Sequence, residues 1–205
     1  MALDTLRSHP TIERLERALR AHPPVRLEPG DEFRRAAVAL MLRGAPTGDV
    51  ELMLIKRATY EGDPWSGHIA LPGGRQEPSD ASLADTVIRE TWEEIGVDLS
   101  RDGCLIGSLD DVRPHTVRLP PLVISPFVAL LARDVPLVLS PEVASAFWVP
   151  VAALQEPGAS RDVVLELNGG PRTVRSFQHG GHTIWGLTER ILEQFLSYIA
   201  PRAAS

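Results

Sequence analysis

Residues 81–95 read as a helix whose two sides cannot be exchanged, and this limits where the helix can sit. Its C-terminal half lies in RETWEEIG (89–96). At about 100° per residue, Glu90, Glu93 and Glu94 fall within roughly 100° of arc. Val87, Ile88 and Ile95 supply much of the opposing apolar stripe, so that side must lie against a core. Like charges at this spacing cost roughly 0.2–0.5 kcal/mol per pair on an exposed helix. The acidic side has two readings: a solvated surface, or three carboxylates gathered as oxygen ligands for Mg²⁺ or Mn²⁺. Ser79 or Asp80 is the expected N-cap and Gly96 the expected stop. LPGG (71–74) stands just upstream. Glycine permits positive φ and lets a carbonyl approach closely, so a Gly73 or Gly74 carbonyl is a candidate further ligand.

The rest of the chain alternates strand and helix signals. Residues 10–21 read as an amphipathic helix with Ile12, Leu15 and Leu19 on one face, ended by HPP at 22–24. That apolar face is open to two uses, capping the core or lining a homodimer seam. Residues 33–42 and 50–56 read as strands joined by GAPTGD. GHIALPGG (67–74) reads as a short strand ending in a sharp bend. In LVISPFVALL (122–131), Pro126 predicts an edge strand or a bulge. FWVPVAAL (147–154) reads as a strand leading into a helical turn. VVLELNGGPRTVRSF reads as a hairpin with NGG (168–170) at its tip. A closing helix is expected over 186–199, with Leu187, Ile191, Phe195, Leu196 and Ile199 inward. This pattern predicts one mixed α/β sandwich.

The 205 residues suit one domain, expected as a helical extension over 1–30 and a main domain over 31–205. The net charge of -6 argues against a non-specific nucleic-acid binder, which needs a basic face. Cys104 is the only cysteine, so neither an internal disulfide nor a cysteine metal cluster can form. No apolar h-region opens the chain and no apolar run reaches membrane-spanning length, so a cytoplasmic protein is expected.

GGRQEPSDASLADTVIRETWEEIGV (73–97) resembles the Nudix box. Gly74, Asp80, Arg89, Glu90, Glu93, Glu94, Gly96 and Val97 all have counterparts in that pattern. There are three departures. Asp80 stands where glutamate is usual, eight residues separate it from Arg89, and Thr91 replaces a hydrophobic residue. The first two also occur in the coenzyme A diphosphatase branch. DPWSGHIALPGG, SLDDVRP, PPLVISPFVALL, SPEVASAFWVPV and HTIWGLTERILEQFL resemble segments of that branch as well. Upstream of the box, this chain carries LMLIKRAT and has Asp63 where the branch has arginine. A hydroxyl bond to a carbonyl one turn back would satisfy Thr91.

The resemblance implies a Nudix-type α/β/α sandwich with a mixed sheet. It also implies an enzyme, a diphosphatase dependent on Mg²⁺ or Mn²⁺, acting on a small nucleotide. Coenzyme A or acyl-coenzyme A is the leading substrate, giving 3′,5′-ADP and 4′-phosphopantetheine or its acyl form. ADP-ribose or a dinucleoside polyphosphate is the alternative. A non-catalytic nucleotide-binding module is disfavoured because all three glutamates are present. By resemblance, Glu90 and Glu94 are principal metal ligands, Glu93 is a shared or outer one, and a Gly73 or Gly74 carbonyl completes the site. Arg89 orients a neighbouring carboxylate. Glu142, six residues before Trp148, resembles a late glutamate that acts as ligand or base. The general base is one of Glu90, Glu93 and Glu142. Arg57, Arg75, Arg113 and Arg118 are candidate phosphate contacts. His115, His179 and His182 form no metal-binding spacing.

Overall fold

A computed structural model describes residues 3–28, 30, 33–62, 65–114, 121–167 and 170–200. Asp63, His115, Arg118 and positions 168–169 of the hairpin tip lie outside the described residues. In chain order the elements are α1 (Leu3–Arg7), α2 (Pro10–Ala21), β1 (Arg34–Gly44), β2 (Val50–Arg57), β3 (Ile69–Ala70) and β4 (Gly73–Arg75). There follow α3 (Leu83–Ile95), α4 (Leu99–Asp102), β5 (Gly103–Ser108), β6 (Leu122–Leu131), β7 (Val143–Pro150) and α5 (Val151–Gln155). The chain closes with β8 (Ser160–Leu167), β9 (Gly170–His179), β10 (His182–Trp185) and α6 (Leu187–Ile199).

The main sheet is ordered β3-β2-β1-β6-β5, with β4 also pairing β1 and β7 also pairing β2. It is mixed: β1 and β6 run parallel, while β1 runs antiparallel to β2 and β4. A smaller sheet is ordered β10-β9-β8. Side chains alternate across a strand. In β1, Ala36, Leu40 and Leu42 join one buried cluster, and Ala37, Ala39 and Met41 join the other. The first cluster takes Ile12, Leu15 and Leu19 of α2 and Ile191, Leu192, Phe195 and Ile199 of α6. The second takes Val87 and Ile95 of α3. Helices thus cover both faces of a mixed sheet, the α/β/α sandwich expected from the resemblance.

Burying a leucine, isoleucine or phenylalanine side chain is worth about 1.5–3 kcal/mol. Three such anchors hold α2 against its own chain, so its apolar face caps the core. Among the described residues, no helix is long and apolar enough to cross a membrane.

Two expectations need correction. The N-cap of α3 is Ser82, whose side chain accepts from the Asp85 N–H, so the helix begins at Leu83. Asp80 cannot cap because its carboxylate holds Arg89 and Thr86 instead. Pro126 lies in β6, an interior strand with β1 on one side and β5 on the other. Its carbonyl accepts from the Leu109 N–H, just past the end of β5, so the missing proline donor falls where that ladder stops. The bulge beside β6 is carried by β5, between Leu105 and Gly107.

Candidate active site

The acidic side of α3 faces the bend between β3 and β4. Gly73 has φ +145°, and a β-carbon there would collide with the Ala37 carbonyl of β1. A β-carbon on Gly74 would collide with the Glu90 carboxylate. The two glycines therefore let β4 lie against β1 and let Glu90 lie against β4. The Gly73 N–H donates to Glu94 Oε2 at 2.8 Å. Glu90 and Glu94 are thus seated against two glycines, where an added β-carbon would meet the β1 backbone at Gly73 and the Glu90 carboxylate at Gly74.

Arg89 braces this arrangement. Its Nε and Nη2 donate to the two oxygens of Asp80 at 3.0 and 2.9 Å, a two-pronged grip. Its Nη1 donates to Glu90 Oε1 at 3.0 Å and to Glu93 Oε2 at 2.9 Å. Nη2 also donates to the Arg75 carbonyl at 3.0 Å. Asp80 is held in turn by the Thr86 hydroxyl and the Glu77 N–H, each at 2.9 Å. The Arg89 bond is the main reason that Asp80 stays well below the usual carboxylate range. Thr91 is fully buried, and its hydroxyl donates to the Ile88 carbonyl at 3.0 Å, the back-bond expected for it.

The electrostatics divide the three glutamates. Glu94 is 5% exposed, and burial pushes its pKa up to about 7. The Gly73 N–H and Arg57 oppose that rise, while the charges of Glu90 and Glu142 add to it. Burial also pushes Glu90 up; Arg89 opposes this, and Glu93 and Glu142 reinforce it. The Glu93 side chain is 54% exposed. Glu142 lies on the exposed turn before β7, yet its charge acts on both Glu90 and Glu94. One concentrated negative field therefore includes a residue 48 positions beyond Glu94 in sequence (142 − 94).

The donors are all oxygen and their negative charge exceeds what Arg89 offsets, which fits Mg²⁺ or Mn²⁺. Among the described residues, no three carboxylates, imidazoles or thiolates already converge as ligands. Arg89 spans Glu90 and Glu93, and Gly73 holds Glu94.

The arginines selected from the sequence separate. Arg57, at the end of β2, acts on Glu94. Arg75 is exposed and joins the site through its carbonyl. Arg113 lies with its guanidinium 4.6 Å from the Phe33 ring centre and donates to the Glu28 carbonyl at 3.3 Å. No contact links Arg113 to the glutamates among the described residues. Ser66 is structural, its hydroxyl bonding the backbone of Tyr60. His182 stacks on Phe147 at 4.4 Å. Asp80 and Thr86 were not foreseen as braces for Arg89, nor was the Gly73 N–H as a donor to Glu94. The acid nine positions before Arg89 was the available signal for Asp80.

Residues 32–166, more than half of the chain, match the NUDIX domain. A Nudix hydrolase of Photorhabdus laumondii, NudL, itself uncharacterized, is 30% identical over 178 residues, which make up 86% of this chain and 90% of that one. The human mitochondrial coenzyme A diphosphatase NUDT8 is 31% identical over 141 residues, 66% of this chain and 57% of that one. The chain spans about half the length of some curated relatives, such as 54% of an uncharacterized Schizosaccharomyces pombe protein. A MutT/nudix family crystal structure from Enterococcus faecalis superposes with a TM-score of 0.57 at 20% identity, covering 84% of this chain and 64% of that one. That likeness concerns the fold.

Proposed function

We propose that this chain, which belongs to the Nudix family, is a hydrolase of phosphoanhydrides that cleaves coenzyme A or an acyl derivative. The products would be 3′,5′-ADP and 4′-phosphopantetheine, or its acyl form. The observation that carries the chemistry is the mutually repelling pair of half-buried Glu90 and buried Glu94, seated on Gly73 and Gly74, with Glu90 braced through Arg89 by Asp80. Coenzyme A as substrate is supported by the relatives with that activity in their names and by the segments outside the box.

Glu90, Glu93 and Glu94, with a carbonyl of Gly73 or Gly74, would hold Mg²⁺ or Mn²⁺. The bound cation would polarise phosphate oxygens and lower the pKa of a water. The chain's own residues do the rest. Asp80 fixes Arg89, and Arg89 fixes the carboxylates of Glu90 and Glu93. Gly73 fixes Glu94. Glu142 is available as a base beside that cluster, with Glu90 and Glu93 the other candidates. Arg57 offers positive charge to the diphosphate. The proposal includes a cytoplasmic location, although relatives carry mitochondrial or peroxisomal names.

The test is incubation with coenzyme A and Mg²⁺ or Mn²⁺, identifying products by mass spectrometry. The two named products are expected, and a chelator should abolish them. Asp63, standing where the branch carries arginine, favours a second reading. Fast turnover of ADP-ribose or a dinucleoside polyphosphate, with coenzyme A left intact, would establish that reading instead.

A further inference from the structure

Glu142 comes from the loop between β6 and β7, not from α3, so its place beside Glu90 and Glu94 must be fixed by contacts between loops. The loop is tied on one side to α3. The Val138 N–H donates to the Ile95 carbonyl at 3.0 Å, and the Ser140 N–H donates to the Glu94 carbonyl at 2.9 Å. On the other side it is tied to the loop that follows β2. The Ala58 N–H donates to the Glu142 carbonyl at 2.8 Å, and the Tyr60 hydroxyl donates to the Pro141 carbonyl at 2.7 Å.

Of these four ties only the Tyr60 bond is made by a side chain. Tyr60 is itself held in place. The Ser66 hydroxyl accepts from the Tyr60 N–H at 2.9 Å and donates to the Tyr60 carbonyl at 2.8 Å. Tyr60 is 48% exposed, so burial of its ring contributes little and the hydroxyl bond is its distinctive contact.

We propose that Tyr60 is a positioning residue for Glu142. Its hydroxyl holds Pro141, and with it the neighbouring carboxylate, in a fixed relation to Glu90 and Glu94. This rests on the reading of Glu142 as a participant in hydrolysis.

The experiment compares wild type, Tyr60→Phe, Glu142→Gln and the double variant, with Mg²⁺ and the best nucleotide diphosphate substrate from a screen. Loss of one such bond predicts a fall in kcat of about 3- to 10-fold for Tyr60→Phe. KM should change by less than about twofold, because placement of a reacting group is a transition-state effect. In the Glu142→Gln background the same change should have no further effect. Amide exchange at Ala58 should accelerate in Tyr60→Phe, and Ser66→Ala should shift kcat in the same direction. Unchanged kcat in Tyr60→Phe, or an equal loss in both backgrounds, would overturn the proposal. Full activity in Glu142→Gln would also overturn it while leaving the hydrolase intact. An inactive wild type would instead defeat the hydrolase reading, and this proposal with it.

Discussion

The Gly73 N–H donates to the Glu94 carboxylate at 2.8 Å, joining the first residue of β4 to the last turn of α3. The carboxylate is 5% exposed and lies in the field of Glu90 and Glu142, with the charge of Arg57 opposing them. One backbone donor and the charge of Arg57 do not cancel the cost of burial, and the carboxyl is still pushed up to about 7. The site therefore carries an electrostatic cost in the folded chain, one that a bound divalent cation would relieve.

Glu94→Gln should separate function from stability. The amide can still accept from Gly73 and removes a poorly compensated buried charge. Turnover should fall at least about 100-fold, while the thermal midpoint of metal-free protein stays level or rises. Ordinary turnover in a folded variant would remove Glu94 from the ligand set.

The two glycines should fail in different ways. Gly73→Ala places a β-carbon against the backbone of β1 at positive φ. It should destabilise the fold by about 1–3 kcal/mol in denaturant titration. Gly74→Ala meets the end of the Glu90 side chain, which can rotate away. It should cost less stability but more activity. A Gly74→Ala enzyme with wild-type kcat would show that the Glu90 position is unimportant.

Asp80 should matter without touching substrate. Asp80→Asn keeps the shape but loses the charged two-pronged grip on Arg89. Activity or metal affinity should fall about 10- to 100-fold, as for other residues that orient ligands. Isothermal titration with Mn²⁺, alongside kcat, checks both. Values within experimental scatter of wild type would mean that Glu90 and Glu93 hold Arg89 unaided.

Acid sensitivity should trace in part to Asp102, the last residue of α4. Asp102 is fully buried and bonded by Arg101 and Arg133, which hold its carboxyl well below the ordinary range. The folded state therefore binds the Asp102 proton less readily than the unfolded chain. Its stabilisation is complete above the ordinary aspartate pKa of about 4 and is lost as pH falls toward the depressed folded value. Asp102→Asn should flatten the stability curve below about pH 4 and lower stability at neutral pH. An unaltered acid limb in urea titrations would contradict this assignment.

The sequence made the α3 faces legible because helical period and charge coincide there. Val87 and Ile95 went inward, Glu90, Glu93 and Glu94 stayed together, and Gly96 ended the helix at φ 72°. The helix start was misread because Ser79, Asp80 and Ser82 all have capping chemistry. Only the tertiary demand of Arg89 removed Asp80 from that competition. Pro126 misled for a similar reason: a missing donor excludes an interior strand only where a neighbour needs that donor, and β5 stops short of it. The inner face expected for α6 omits Leu192, yet that residue is fully buried. The ties that hold the Glu142 loop are invisible in the sequence because they join segments 43 to 84 residues apart (138 − 95 for Val138 and Ile95, 142 − 58 for Glu142 and Ala58).

The parallel pairing of β1 with β6 has a kinetic consequence. Every element from β2 to β5 lies in the segment that must be looped out before these strands can meet. Non-local closures of this kind slow folding, because chain entropy is lost before contacts compensate for it. Catalytic competence should thus emerge late in refolding, after the local helices have formed.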